Sequence, residues 1–300
     1  MASLRAYLGA YMVRSRVRGP LARARDVAAF RRIFEAPAFP DPKGVTYEPG
    51  IVGGVKGEWI RQKAGPGRRM LYIHGGGFIA CSPRTHRPVT GALANRGFTI
   101  FAPDYRLAPE HPFPAAVDDV TAVWAAFSAE GAACVAGESA GGNLALVLMG
   151  EARARGLPMP WAAALFSPAT DFVSEGGSRV SNAWRDAMFD PQALAAIRPM
   201  YLGGADPADP RISPIYGDPT GFPPLLFHVG AREVLRDDSV RMAERARAAG
   251  VETELKLFPV VSHAWQFAAG MLPEARASLD EAAAFLKAHA PHAPSGNPLP

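Results

Sequence analysis

The sequence predicts an α/β fold, with a mainly parallel central sheet flanked by helices, and three observations carry that expectation. Apolar, β-branched runs alternate with helical patterns along most of the chain. One of these runs, 132–136, ends in Gly137-Glu138-Ser139-Ala140-Gly141 and passes at once into a helical pattern of Leu144, Leu146, Val147 and Leu148. Another, 70–74, ends in His74-Gly75-Gly76-Gly77-Phe78. A G-x-S-x-G pentapeptide in a strand-to-helix turn strains its central residue and brings the flanking chain close, so Gly137 and Gly141 lack side chains where bulk would clash. The turn lifts the Ser139 hydroxyl from the sheet edge and aims the Ala140 N–H at the place where an oxyanion would form.

Taken in order, residues 1 to about 40 read as amphipathic helix. Leu4, Tyr7, Leu8 and Tyr11 fall at helical spacing, and Val27, Phe30, Ile33 and Phe34 repeat it before Pro37 and Pro40. Strands follow over 45–60 and 70–74, broken by Gly53-Gly54 and Gly65-Pro66-Gly67. The three glycines after His74 lack the G-K-[ST] ending and the G-x-G-x-x-G frame of nucleotide sites. They suit a loop whose bare backbone N–H groups approach a substrate oxygen, with His74 ordering it by hydrogen bonding.

Beyond a strand at 98–102, the connector from Asp104 to Pro114 mixes charge with proline, and Asp104, Arg106 and Glu110 read as structural braces. A helix at 115–129 precedes the Ser139 turn, and a strand at 161–167 follows it. Residues 168–214 form an irregular insertion with exposed-looking Phe172, Trp184, Met188, Phe189 and Tyr201. A strand at 224–230, a charged helix at 239–249 closed by Gly250, a strand at 253–258 and a helix at 273–289 complete the pattern, and 290–300 reads as a disordered tail. No repeat or compositional break marks an independent second domain.

The bulk properties narrow the function. Of 300 residues, 48% are hydrophobic and 20% charged, enough for a substantial core. The net charge of +4 comes from scattered arginines without a block of like charge, which argues against nucleic-acid or membrane-surface partners. Cys81 and Cys134 are the two cysteines, too few for a disulfide framework or a C-x-x-C metal site. Arg5, Arg14, Arg16 and Arg18 interrupt the apolar residues of the first eighteen, so no membrane span is expected there and the cytoplasm is the default location. No metal or organic cofactor is called for, and a homodimer is compatible with the composition.

A serine needs a base, and the base an acid that fixes its tautomer. On this architecture the chain order is serine, then Asp or Glu, then histidine. Of seven histidines, His263 is the one both downstream of Ser139 and in a loop at a strand's end. Glu233 stands three residues beyond Gly230 and is the favoured acid. Asp237, at a helix start where capping is the structural role, and Asp171, after the preceding strand, are the alternatives.

HGGGF at 74–78, the DYRLAPEHPFPAA stretch, GESAGG at 137–142, the run Gly230 to Ser239, and His263 before an aromatic together resemble the hormone-sensitive-lipase family, the bacterial family IV esterases of the α/β-hydrolase fold. The resemblance runs from about Met70 to Trp265. It implies Ser139 as nucleophile, His263 as base, and an oxyanion hole of Gly75, Gly76 and Ala140. The family's acid is often an Asp in an Asp-Pro-Leu run, and Glu233-Val234-Leu235 stands in that place. The resemblance also implies a catalytic domain of 41–169 and 213–289, cap helices from 1–40, a cap insertion at 170–212, and a small-molecule ester substrate with a short acyl chain. An amidase or deacetylase would use the same groups, and a non-catalytic binding protein on the same scaffold is the reading from another class.

Overall fold

Gly53-Gly54 turns the first two strands into a hairpin, β1 (Val45–Val52) and β2 (Val55–Gln62). Six further strands follow: β3 (Arg68–Ile73), β4 (Phe98–Pro103), β5 (Cys134–Glu138), β6 (Ala163–Phe166), β7 (Leu225–Gly230) and β8 (Thr253–Phe258). In this computed structural model, which describes residues 2–35 and 39–291, they form one sheet in the order β1-β2-β4-β3-β5-β6-β7-β8. The β1–β2 and β2–β4 pairings are antiparallel and all others parallel. β5, β6 and β7 are buried along their whole lengths, which is why they read as continuous apolar runs rather than alternating ones.

The helices are α1 (Leu4–Val13), α2 (Gly19–Arg23), α3 (Val27–Phe34), α4 (Arg87–Ala94), α5 (Ala115–Ala129), α6 (Ala140–Ala154), α7 (Ser178–Ser181), α8 (Pro191–Leu202), α9 (Arg236–Ala248) and α10 (Pro273–Ala288). Successive strand residues point to opposite faces and build two cores. Leu71, Ile73 and Val135 join Trp124, Phe127, Leu144 and Met242 on the side of α5, α6 and α9. Met70, Tyr72 and Ala136 join Val89, Leu93, Leu279 and Leu286 on the side of α4 and α10.

A third apolar cluster joins segments distant in sequence. Leu21 of α2 and Phe30 of α3 pack with Ile79 of the glycine loop, with Phe189, Ala193 and Ile197 in and before α8, and with Leu235. Arg18 ties the N-terminal segment to the chain just before α8. Its buried guanidinium donates to the carbonyls of Ala183, Asp186 and Phe189 and pairs with Asp190 at 2.9 Å.

Several expectations need correction. The large residues of α1 face outward: Leu4, Tyr7, Leu8 and Tyr11 are all exposed, and small Ala6 is the helix's buried residue. Small residues let α1 approach the body closely, which the larger side chains would prevent. Phe189 and Tyr201 are buried, whereas Trp184 is exposed as its sequence context suggested. Tyr201 stacks on Phe78 with ring centroids 3.7 Å apart. Helix α4 is absent from the sequence reading. Pro37 and, from 292 onward, the expected tail lie outside the described residues.

Candidate active site

The turn from β5 into α6 holds Ser139 at φ 54, ψ −116, a conformation an L-residue reaches only under constraint. The constraint is steric and legible: a Cβ on Gly137 would overlap the Gly141 backbone, and one on Gly141 would overlap the Ile73 carbonyl. Ser139 N–H donates to the Phe166 carbonyl at 2.8 Å, tying the turn to the neighbouring strand. Among the described residues, the non-glycine positions with positive φ are Phe78, Cys81, Ser139, Ser167 and Ala264. All five lie in segments leaving the carboxyl ends of strands, where α/β sheets hold their ligands. Ser139 lines a cavity of about 1990 Å³ that opens there, walled by α1, α8 and the segment following β8.

His263, from that last segment, is buried with its ring at the same cavity. Its Nδ1 lies 2.7 Å from Glu233 Oε2. Glu233 is in turn anchored through Oε1, which accepts from Ser167 Oγ at 2.8 Å and from the Gly230 N–H at 2.6 Å. The other two carboxylates considered from sequence are engaged elsewhere. Asp237 accepts from the Ser178 N–H and pairs with Arg236, while Asp171 caps Val173 and Ser174 and pairs with Arg241 at 2.6 Å.

The glycine loop departs from expectation at one atom. The Gly75 N–H donates to His86 Nε2 at 3.0 Å and so is already committed. Gly76, at φ +111, and Gly77, at φ +63, carry N–H groups with no intramolecular acceptor among the described residues. The pair facing the cavity is therefore Gly76 and Gly77 rather than Gly75 and Gly76. His74 orders the loop from behind, its Nδ1 donating to the Gly75 carbonyl at 2.8 Å, while Tyr105 Oη donates to the His74 carbonyl at 2.9 Å. The connector braces elsewhere: Arg106 pairs with Asp119, and Glu110 with Arg31 of α3.

Residues 70–267 match the family described as the alpha/beta hydrolase fold. A hormone-sensitive lipase from a metagenome library superposes with a TM-score of 0.86 at 38% identity, covering 90% of this chain and 95% of its own. An esterase from the bacterial hormone-sensitive lipase family superposes at 0.90 with 34% identity, covering 96% and 99%. The chain belongs to the hormone-sensitive-lipase family of bacterial esterases. In sequence it is 38% identical to an acetyl-hydrolase of Streptomyces hygroscopicus over 79% of this chain and 81% of that one. It is 36% identical to an esterase of Acinetobacter venetianus over 82% and 84%.

Two residues of this family member's site escaped the sequence reading. Glu138, the variable residue before the serine, is buried, and its Oε1 lies 2.9 Å from His263 Nε2. That contact falls off the ring's N–H axis, so Nε2 makes no hydrogen bond there. His86, preceding α4, was invisible because α4 itself was. The charges of Glu233 and Glu138 outweigh the effect of burial on His263 and hold its imidazole well above the ordinary histidine range. Burial opposes ionisation of Glu138, yet the neighbouring His263 charge prevails and its carboxyl is held low. Burial drives His74 down to about 3, so it stays neutral. Among the described residues there is no group of three or more His, Cys, Asp or Glu placed to hold a metal ion, and no helix long and apolar enough to cross a membrane.

Proposed function

We propose that this esterase hydrolyses small carboxylic esters with short acyl groups through a Ser139–His263–Glu233 triad and an acyl-enzyme intermediate. The observation that carries the reading is the lodging of the His263 imidazole between the anchored Glu233 and the Ser139 turn. Ser139 gives its proton to His263 Nε2 as its oxygen attacks the ester carbonyl. The oxyanion accepts from the N–H groups of Gly76, Gly77 and Ala140. Collapse breaks the carbonyl–alkoxy bond, and the imidazolium returns its proton to the departing alcohol. Water, deprotonated by the same imidazole, then attacks the acyl-enzyme; the acid leaves and the Ser139 proton is restored. Glu233 holds the Nδ1–H tautomer and balances the imidazolium charge.

Residues 1–40 and 170–212 act as a cap in this reading, supported by the cluster that joins α2, α3 and α8 above the strand ends. The short acyl preference is supported by the acetyl-hydrolase among the relatives. Ser139→Ala should abolish p-nitrophenyl acetate and butyrate hydrolysis and fluorophosphonate labelling without unfolding the protein. Retained turnover in that variant would end the proposal, and faster cleavage of an anilide than of its matched ester would make the enzyme an amidase.

A further inference from the structure

Glu138 presents a problem of electrostatics. A carboxylate cut off from water costs several kcal/mol unless hydrogen bonds or a counter-charge repay it. Glu233 is repaid by the Ser167 hydroxyl, the Gly230 N–H and the His263 ring. Glu138, buried to the same degree, has no hydrogen-bond partner at Oε1. Two imidazole nitrogens stand against it, His263 Nε2 at 2.9 Å from Oε1 and His86 Nε2 at 3.5 Å from Oε2.

The hydrogen bonding assigns the His86 tautomer. Its Nε2 accepts from the Gly75 N–H, so the lone pair is there. Thr85 Oγ1 spends its proton on the Ser82 carbonyl at 2.8 Å, so the 3.0 Å contact with His86 Nδ1 has the ring donating. His86 thus turns a lone pair, not a proton, toward Glu138 and supplies no counter-charge. That leaves His263. The Gly75 α-carbon closes the pocket on the other side, and a Cβ there would overlap the Glu138 carboxylate.

Resting on the reading of Ser139 and His263 as nucleophile and base, we infer that Glu138 is a second carboxylate for the catalytic imidazole, a positioning residue that stabilises the charge His263 gains when it takes the serine proton. Because its oxygen lies off the N–H axis, Nε2 keeps its hydrogen-bonding direction free for Ser139 while feeling a full negative charge 2.9 Å away. At that separation in a buried site the interaction is far stronger than in water. The charge that favours proton transfer also keeps the resting imidazole protonated to higher pH. The enzyme therefore trades activity at neutral pH for a base whose charged form is held from both sides. The charged groups that bear on His263 are Glu233 from the loop after β7 and Glu138 from the Ser139 turn, while Asp186 acts on Glu233 and accepts from the Val234 N–H. From α8's approach the ring meets Phe189 edge-on at 4.9 Å, an uncharged wall.

The test is the pH dependence of kcat/KM for p-nitrophenyl butyrate, with fluorophosphonate inactivation of Ser139 followed over the same range. In the unmodified enzyme both should show an acid limb on the alkaline side of the ordinary histidine value of about 6.5. Glu138→Gln should lower the limiting kcat tenfold or more and move the limb down by at least one pH unit. Glu138→Asp, with the charge one methylene farther back, should place the limb between the two. A limb near 6.5 in the unmodified enzyme, or superimposable limbs in all three proteins, overturns the inference, whereas a uniform loss without a shift would give Glu138 a packing role only. Ser139→Ala separates the two levels: if it abolishes labelling while the Glu138 limbs coincide, only this inference falls.

Discussion

At the scale of single residues, the site depends on which carboxylate faces the imidazole. Glu233 is fixed by three hydrogen bonds, one of them to His263 Nδ1. Replacing the carboxylate by an amide keeps the shape but favours the wrong tautomer, with the Nδ1 proton displaced to the nitrogen that must act as base. In a serine protease triad that exchange costs on the order of 10⁴ in kcat. Glu233→Gln is therefore expected to lose about 10³–10⁴ in kcat with KM little changed, while Asp237→Asn, whose carboxylate serves Ser178 and Arg236, should stay within about threefold of the parent. Steady-state kinetics on the two variants decides the matter, and equal losses would remove Glu233 from its role. The double involvement of His263 with Glu233 and Glu138 also explains why a neutral glutamine at either position has different consequences. Loss at 233 removes orientation, and loss at 138 removes charge.

At the scale of elements, Arg18 makes most of the polar contacts between the N-terminal helices and the 183–190 segment, the two parts of the proposed cap. Each hydrogen bond to a buried charged group is worth about 1.5–3 kcal/mol, and its loss strands the carbonyls of Ala183 and Phe189, while that of Asp186 keeps the Arg14 donor. Arg18→Ala should cost about 3 kcal/mol, raise KM severalfold, and expose residues 2–35 to trypsin faster than the remainder of the chain. Unchanged KM and proteolysis would mean that the third apolar cluster alone joins the two parts of the cap. The same elements show where sequence reading reaches its limit. α5 and β8 were placed to the residue, because their patterns are set by the sheet that α5 covers and β8 completes. The Ser139 turn was legible because backbone geometry dictates glycine at 137 and 141. α4 was not, since Arg87-Pro88-Val89-Thr90-Gly91 carries proline, a β-branched pair and glycine, and its helicity comes from burial of nearly every residue. With α4 went His86, and with His86 the knowledge that the Gly75 N–H is occupied. α1 misled for the opposite reason: its apolar stripe is real but faces outward, while Ala6 makes the contact.

At the scale of the whole molecule, the sheet buries titratable groups whose protonation couples folding to pH. His74, under the glycine loop, and His228, within β7, are both driven down to about 3 by burial, with Lys256 adding to the effect at the second. His228 donates or accepts at Ser278 Oγ across 2.9 Å and has the half-exposed Glu281 3.6 Å from its other nitrogen. In both cases the folded value lies below the unfolded one, so the native state holds a neutral ring where the unfolded chain binds a proton. Their contribution is fully present above about pH 6.5 and is lost as pH falls from there toward 3. His263 has the opposite sign: its folded value is raised, so its contribution is full below about 6.5 and drains away as pH rises. Stability should therefore decline on both sides of neutrality, more steeply on the acid side, where two histidines act together. Two extra protons bound by the unfolded chain give a limiting slope of about 2.7 kcal/mol per pH unit below roughly pH 5.5. Urea denaturation at intervals between pH 4.5 and 9 measures this directly. His228→Gln, which keeps a hydrogen-bonding group beside Ser278 but cannot charge, should cut the acid slope by about half and leave the alkaline decline untouched. A parent curve that is flat from pH 7 to 5 would mean that these rings are reached by water and protonate in the folded state.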